Sequence, residues 1–287
     1  MLLKEAIDLF NENMHITGKS NNTIYQYSLH LERFEAYLKD YYGHSLHLEE
    51  IKPDKDLDRY LFNILSKDKY ADSTRNGMIT AFKSFTKYCY RKAYTHENIG
   101  KHIQNIQYKT PEREYLNDLE YQQVIKRIVS PTAKAVLQTM FYTGVRVTEC
   151  ISIQLKDIDL DKAILKVKQG KGNKDRNIPL NRTIINNLKH YIKEGRIDAG
   201  TNNLFSSKSG KITKQYVNQV LKKAMEQTGI TKQISSHNFR HSFASNLVEG
   251  KVDINRVKKL LGHSSLKDTI IYLHTPFEEL QATVNLL

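Results

Sequence analysis

Between residues 163 and 180 the rhythm of the chain changes. On either side, apolar residues recur every three or four positions, the spacing of helices that bury one face. In AILKVKQGKGNKDRNIPL, Leu165 and Val167 instead alternate with Lys166 and Lys168, a Gly-rich basic turn follows, and a short apolar run returns. A period of two around a glycine turn predicts a β-hairpin. The expected fold is therefore mainly α, with a small antiparallel sheet inside the second half.

The first hundred or so residues read as helical. In NNTIYQYSLHLERFEAYL, Asn22 is placed to cap a helix whose buried stripe is Ile24, Tyr25, Leu29, Leu31, Phe34 and Leu38. STRNGMITAFKSFTKYCYRKAY repeats the design, with Ser73 or Thr74 as cap and Met78, Ile79, Phe82, Phe85, Tyr88 and Cys89 as stripe. Residues 107–114 are polar, carry Pro111, and read as a linker between a helical domain (1–106) and a second domain (115–287). That domain opens with capping-box spacing at Asn117 and Glu120, and with Leu116 and Tyr121 as a hydrophobic staple. Ser130-Pro131 starts a further helix that stops at Gly144.

Charge narrows the partners. Forty-four Lys and Arg against 31 Asp and Glu give a formal net charge of +13, which favours a polyanion, nucleic acid first. Lys83, Lys87 and Arg91 lie off the buried stripe of their helix and are candidate contacts to a phosphate backbone, a solvated basic face being the plainer alternative. Cys89 and Cys150 have neither disulfide-framework nor metal-site spacing, which fits a reducing compartment. The N-terminal MLLKEAIDLF is amphipathic and acidic, a poor signal peptide, so a cytoplasmic, nucleoid-associated protein with no membrane partner is expected.

Several polar residues stand in distinctive settings. Arg146 follows the helix stop at Gly144, with Glu149 three residues on, one turn along the same face. Lys171 lies between Gly170 and Gly172 at the hairpin tip, with Lys174 and Arg176 as competitors nearby. His237 and Arg240 share a helix face in SHNFRHSFA, capped by Ser235 or Ser236. His241 beside them completes no recognised zinc pattern. His263 follows Gly262, where a helix ends; Ser264 or Ser265 can start the next, and Tyr272 stands nine residues after His263. Taken singly these are a surface ion pair, a basic turn, a capped helix and a helix-turn-helix-like stretch. Taken together they suit metal-free attack on a phosphodiester: fixed cations for the non-bridging oxygens, a proton donor for the leaving oxygen, and a nucleophile.

The order Arg, Lys, His-x-x-Arg, Gly-His, Tyr, in TGVRVTE, GKGNK, HNFRHSFA and LGHSSLKDTIIY, resembles the tyrosine recombinase (phage integrase) family. In length and compactness the chain looks most like Xer recombinases and small transposon-encoded resolvases or integrases. The resemblance implies a two-domain, C-shaped DNA clamp made of a helical, SAM-like core-binding domain and a catalytic domain. It implies Tyr272 as nucleophile forming a 3′-phosphotyrosyl link, and Arg146 and Arg240 on the non-bridging oxygens. Lys171 would protonate the leaving 5′ oxygen, His237 would assist proton transfer, His263 would bond the phosphate, and Glu149 would orient the site. Lys174, Arg176 and His241 join Lys83, Lys87 and Arg91 as DNA-contact candidates. No cofactor or metal is expected.

The implied partner is a double-stranded recombination site with inverted half-sites. A homo-tetramer, alone or with a related recombinase, would exchange strands between two paired sites through a Holliday junction. The tail PFEELQATVNLL would dock on a neighbouring subunit. Two other classes make different expectations. A non-enzymatic regulator gives no reason for His-x-x-Arg and Gly-Lys-Gly to co-occur, and a type IB topoisomerase-like enzyme would relax supercoils as a monomer.

Overall fold

The computed structural model describes residues 1–65, 70–108, 114–168, 175–208, 210–263 and 265–272. The chain divides into two compact units, Met1–Thr110 and Pro111–Leu287. Residues 109–113 of the expected linker lie outside the described residues, and so does the tail from 273 onward. No helix among the described residues is long and apolar enough to cross a membrane.

The first unit contains α1 (Leu3–Ile16), α2 (Asn21–Tyr42), α3 (Asp58–Leu65) and α4 (Asp72–Arg91). Leu3, Ile7 and Phe10 of α1, Leu31, Phe34 and Leu38 of α2, and Ile79, Phe82 and Phe85 of α4 form one core. Phe34 meets Phe82 edge to face with ring centres 5.1 Å apart. The α2 cap differs from the one expected: Ser20, not Asn22, accepts the Thr23 N–H. Tyr25, expected in the stripe, is exposed, while His30 is buried. Helix α4 begins at Asp72, ahead of both expected caps. The chain leaving this unit is tied to α4 by paired bonds between Asn76 and the backbone of Ile106, 2.8 and 2.9 Å.

The second unit runs α5 (Asp118–Arg127), α6 (Pro131–Thr143), α7 (Val147–Cys150), β1 (Ile158–Asp159), β2 (Ile164–Val167), β3 (Arg176–Pro179), α8 (Arg182–His190), β4 (Ser206–Ser207), β5 (Gly210–Lys211), α9 (Lys214–Met225), α10 (Ser236–Glu249), α11 (Ile254–Leu261) and α12 (Lys267–Ile270). The expected capping box is present: Glu120 N–H donates to Asn117 and Asn117 N–H to the Glu120 carboxylate. Ser130 caps α6 through the Ala133 N–H. β2 and β3 pair antiparallel, Leu165 opposite Ile178, with β1 added on the far side of β2. Leu165, Val167 and Ile178 enter the core while Lys166 faces out, as period-two patterning requires. α6, whose Val136, Leu137 and Met140 are fully buried, runs through the middle of this core and packs along α10.

Candidate active site

Two helix ends meet in the second unit. α6 stops at Gly144, whose φ of +65° is the left-handed conformation glycine adopts without a Cβ penalty. A Cβ there would sit 2.4 Å from Phe243 Cδ1 of α10 and 2.9 Å from Leu261 Cδ2 of α11, so the glycine also permits the approach of three helices. Arg240, only 2% exposed, reaches from α10 to both ends: Nη1 donates to Gly144 O at 2.6 Å and Nη2 to Leu261 O at 2.7 Å. The last carbonyls of a helix have no partners within it and carry partial negative charge, so one guanidinium satisfies two helix termini at once. Burial, and then the neighbouring Arg146, pull Arg240 down to about 10, which leaves it protonated at neutral pH.

Beside Arg240 lies Glu149, 7% exposed. Arg146 precedes α7; its backbone N–H donates to Glu149 Oε2 at 2.8 Å and its Nη1 to Oε1 at 2.8 Å. Arg176, the first residue of β3, grips the same carboxylate with Nη2 at 2.8 Å and Nη1 at 3.3 Å, and donates from Nε to Leu260 O at 3.3 Å. Arg240 Nη1 is 4.0 Å from Glu149 Oε2. Burial on its own would raise this carboxyl; the bonds from Arg176 and Arg146 outweigh it and hold Glu149 at about 2. Three guanidiniums around one carboxylate leave a surplus of two positive charges at a partly enclosed surface. Such a surplus stabilises a bound or developing oxyanion.

The nucleophile candidate comes from the next turn of chain. α11 ends at Gly262, φ +65°, and a Cβ at that position would lie 2.8 Å from Arg176 Cδ. The chain then presents His263, whose Nδ1 is 2.9 Å from Thr269 Oγ1 in α12. Tyr272 follows α12 and is 6% exposed, in a small cluster with Ala244, Val257 and Leu261. Its hydroxyl lies 2.8 Å from His241 Nδ1.

Arg146, Glu149, Arg240, His263 and Tyr272 thus gather around the ends of α6 and α11. His237 stands exposed in the first turn of α10, its ring 4.5 Å from that of His241. Lys171 and Lys174 lie outside the described residues. Two residues take places other than the DNA-facing ones expected of them. Arg176 turns inward onto Glu149, and His241 is buried against Tyr272. A signal for Arg176 exists in the sequence, since it shares a strand face with Ile178, which faces the core. No comparable signal marks His241 within its helix, where its chain neighbours Arg240 and Ser242 are polar and yet buried.

In the first unit, Lys83 donates to Asn105 Oδ1 at 3.3 Å. Lys87 and Arg91, with Lys19 and Lys92, line a pocket of about 510 Å³ beside Phe10, Met14 and Tyr88. This surface is basic and partly apolar.

Comparison with known proteins agrees with this geometry. The phage integrase family matches residues 114–279, and the phage integrase N-terminal SAM-like domain matches residues 7–93. The tyrosine recombinase XerD of Oceanobacillus iheyensis is 30% identical over 293 aligned positions, covering 95% of this chain and 94% of its own. The tyrosine recombinase XerC of Lacticaseibacillus casei is 29% identical, covering 96% of each chain. A lambda integrase dimer bound to a COC′ core site shares the fold at 17% identity and a TM-score of 0.78, over 93% of this chain and 97% of that one. The chain belongs to the phage integrase family of tyrosine recombinases, and its reaction is site-specific DNA recombination.

Proposed function

We propose that this chain cuts and rejoins DNA through a 3′-phosphotyrosyl intermediate with Tyr272 as nucleophile. The observation that carries this reading is the convergence of Tyr272, His263, Arg240, Arg146 and Glu149, residues far apart in sequence, at two helix ends joined by Arg240. In the cutting step the Tyr272 oxygen forms a bond to phosphorus and the bond from phosphorus to O5′ breaks. Arg146 and Arg240 hold the non-bridging oxygens, with His263 donating to one of them through Nε2. Lys171 gives the proton that O5′ takes as it leaves, and His237 assists proton transfer by taking the proton that the Tyr272 hydroxyl loses. Glu149 holds the arginines apart and in register. Rejoining reverses these steps: a 5′ hydroxyl attacks, the tyrosine leaves, and the bond energy is retained without ATP or metal.

The same reading assigns residues 1–106 to core binding, 107–114 to the linker and 115–287 to catalysis. The substrate is a double-stranded site with inverted half-sites. Four copies, or copies paired with a related recombinase, act on two sites through a Holliday junction, and the tail beyond Tyr272 docks on a neighbour. Lys83, Lys87 and Arg91 follow the DNA backbone from the first unit. The nucleoid is the place of action.

The test is covalent trapping on a suicide DNA substrate carrying a nick near the cut. Tyr272→Phe is expected to bind the site as the unmodified chain does and to give no adduct. EDTA is expected to leave the cut intact, and inhibition by it would favour a metal nuclease.

A further inference from the structure

Helix α10 carries two histidines one turn apart. His237 stands at its exposed start, whereas His241 is 4% exposed and directs Nδ1 to within 2.8 Å of the Tyr272 hydroxyl. The His241 and Tyr272 rings are 5.4 Å apart, tilted by 48°. The sequence treats His241 as one more basic residue; the structure makes it the neighbour of the reacting oxygen.

The element that bears Tyr272 is short. α12 has four residues, and Asp268, Ile270 and Ile271 around it are exposed while Thr269 and Tyr272 are buried. A helix of this length has little stability of its own. Two histidine–hydroxyl contacts fasten it: Thr269 to His263 in the turn after α11, and Tyr272 to His241 on α10. The first secures the helix, and the second secures the hydroxyl itself. In-line displacement is sensitive to such placement, and an error of about 1 Å can cost on the order of a hundredfold in rate.

We infer that His241 is a positioning residue of the reaction, holding the Tyr272 hydroxyl in line with the phosphate site. Its neighbour Arg240 reaches the other way, to Gly144 O and Leu261 O. One helix therefore fixes both the arginine that meets the phosphate and the oxygen that attacks it, and the distance between them is set by two adjacent residues. The inference rests on Tyr272 being the nucleophile, as proposed above.

The test measures single-turnover cutting of a suicide substrate by the full chain, with site binding followed by gel shift. His241→Leu is expected to bind DNA normally and to cut about a hundredfold more slowly. His241→Asn places an amide near the position of Nδ1 and is expected to recover at least tenfold over Leu. His241→Gln, whose amide reaches the position of Nε2, is expected to recover less than Asn. A 5′-bridging phosphorothiolate, which leaves without a proton donor, is expected to leave the Leu defect in place. Wild-type cutting by the Leu variant, a defect erased by the phosphorothiolate, or Asn no better than Leu or Gln would each overturn the inference. Should the Leu variant fail to fold, the Asn and Gln comparison decides alone. Tyr272→Phe is run beside them. An adduct from that variant removes the nucleophile assignment, whereas an inert Tyr272→Phe with a fully active His241→Leu removes only the role of His241.

Discussion

The arginine cluster and the tyrosine helix lie side by side and are built in opposite ways. Arg146, Arg176 and Arg240 are fixed by a buried carboxylate and by backbone carbonyls at Gly144, Leu260 and Leu261. Those acceptors lie on α7 and at the ends of α6 and α11. Tyr272 follows a four-residue helix, where the contacts to His263 and His241 and a small apolar cluster help to hold it. The difference teaches that the charge proposed to meet the phosphate is preset, while the proposed nucleophile rests on a segment that can be displaced at small cost. Changes in the cluster are therefore expected to lower both stability and rate, and changes in the tyrosine helix to lower mainly the rate.

The largest effect should come from Arg240. Arg240→Ala removes the proposed phosphate ligand and leaves two buried carbonyls without that donor, so cutting should fall by about a hundredfold to a thousandfold. Each orphaned carbonyl should also cost about 1–3 kcal/mol of stability. Arg240→Lys should recover little, because one ammonium does not reproduce a fork spanning two helix ends. Suicide-substrate cutting together with urea denaturation separates the two losses; a variant that loses rate but no stability would break the comparison.

Glu149 gives the next effect and has a definite pH signature. Its folded value of about 2 lies below the ordinary 4.5, so its contribution is fully present above about pH 4.5 and is lost as pH falls through 2. The size is roughly 3 kcal/mol at most. Urea denaturation across that range should show the unmodified chain losing stability relative to its value at neutral pH, and Glu149→Gln should flatten this dependence while lowering stability at pH 7. An unchanged curve would mean that the carboxylate is not what gathers the arginines.

Gly262 links the two regions and should give a smaller, mixed effect. Gly262→Ala places a Cβ in left-handed backbone, at about 1–2 kcal/mol, and pushes on Arg176. Both melting temperature and cutting rate should fall. The smallest effect belongs to Thr269→Val, which removes the contact to His263. Stability should fall by about 1 kcal/mol or less, with cutting reduced roughly tenfold. A Thr269 variant that destabilised the domain as much as Arg240→Ala would contradict the division drawn between the regions.

Much of this was legible in the residues. The hairpin declares itself through Leu165, Val167 and its glycine turn, and the stops at Gly144 and Gly262 through left-handed caps that follow apolar stripes. The site motifs are legible by their order. Other features escape a reading along the chain for physical reasons. β1, β4 and β5 have two residues each, too few to establish a period. The α4 start is ambiguous in the sequence because Asp72, Ser73 and Thr74 are all residues that favour helix starts. The pairing of Arg176 with Glu149 and the contact between His241 and Tyr272 join residues 27 and 31 positions apart, and only the packing of separate elements brings them together.

The central claim is that Tyr272 carries the DNA strand. Its most direct test is to trap the unmodified chain on a suicide substrate, digest the adduct with trypsin and nuclease, and locate the residual nucleotide by mass spectrometry. The nucleotide is expected on the peptide that follows Lys267, attached to the Tyr272 oxygen. Attachment to any other residue, with Tyr272 unmodified in the trapped fraction, would contradict the account.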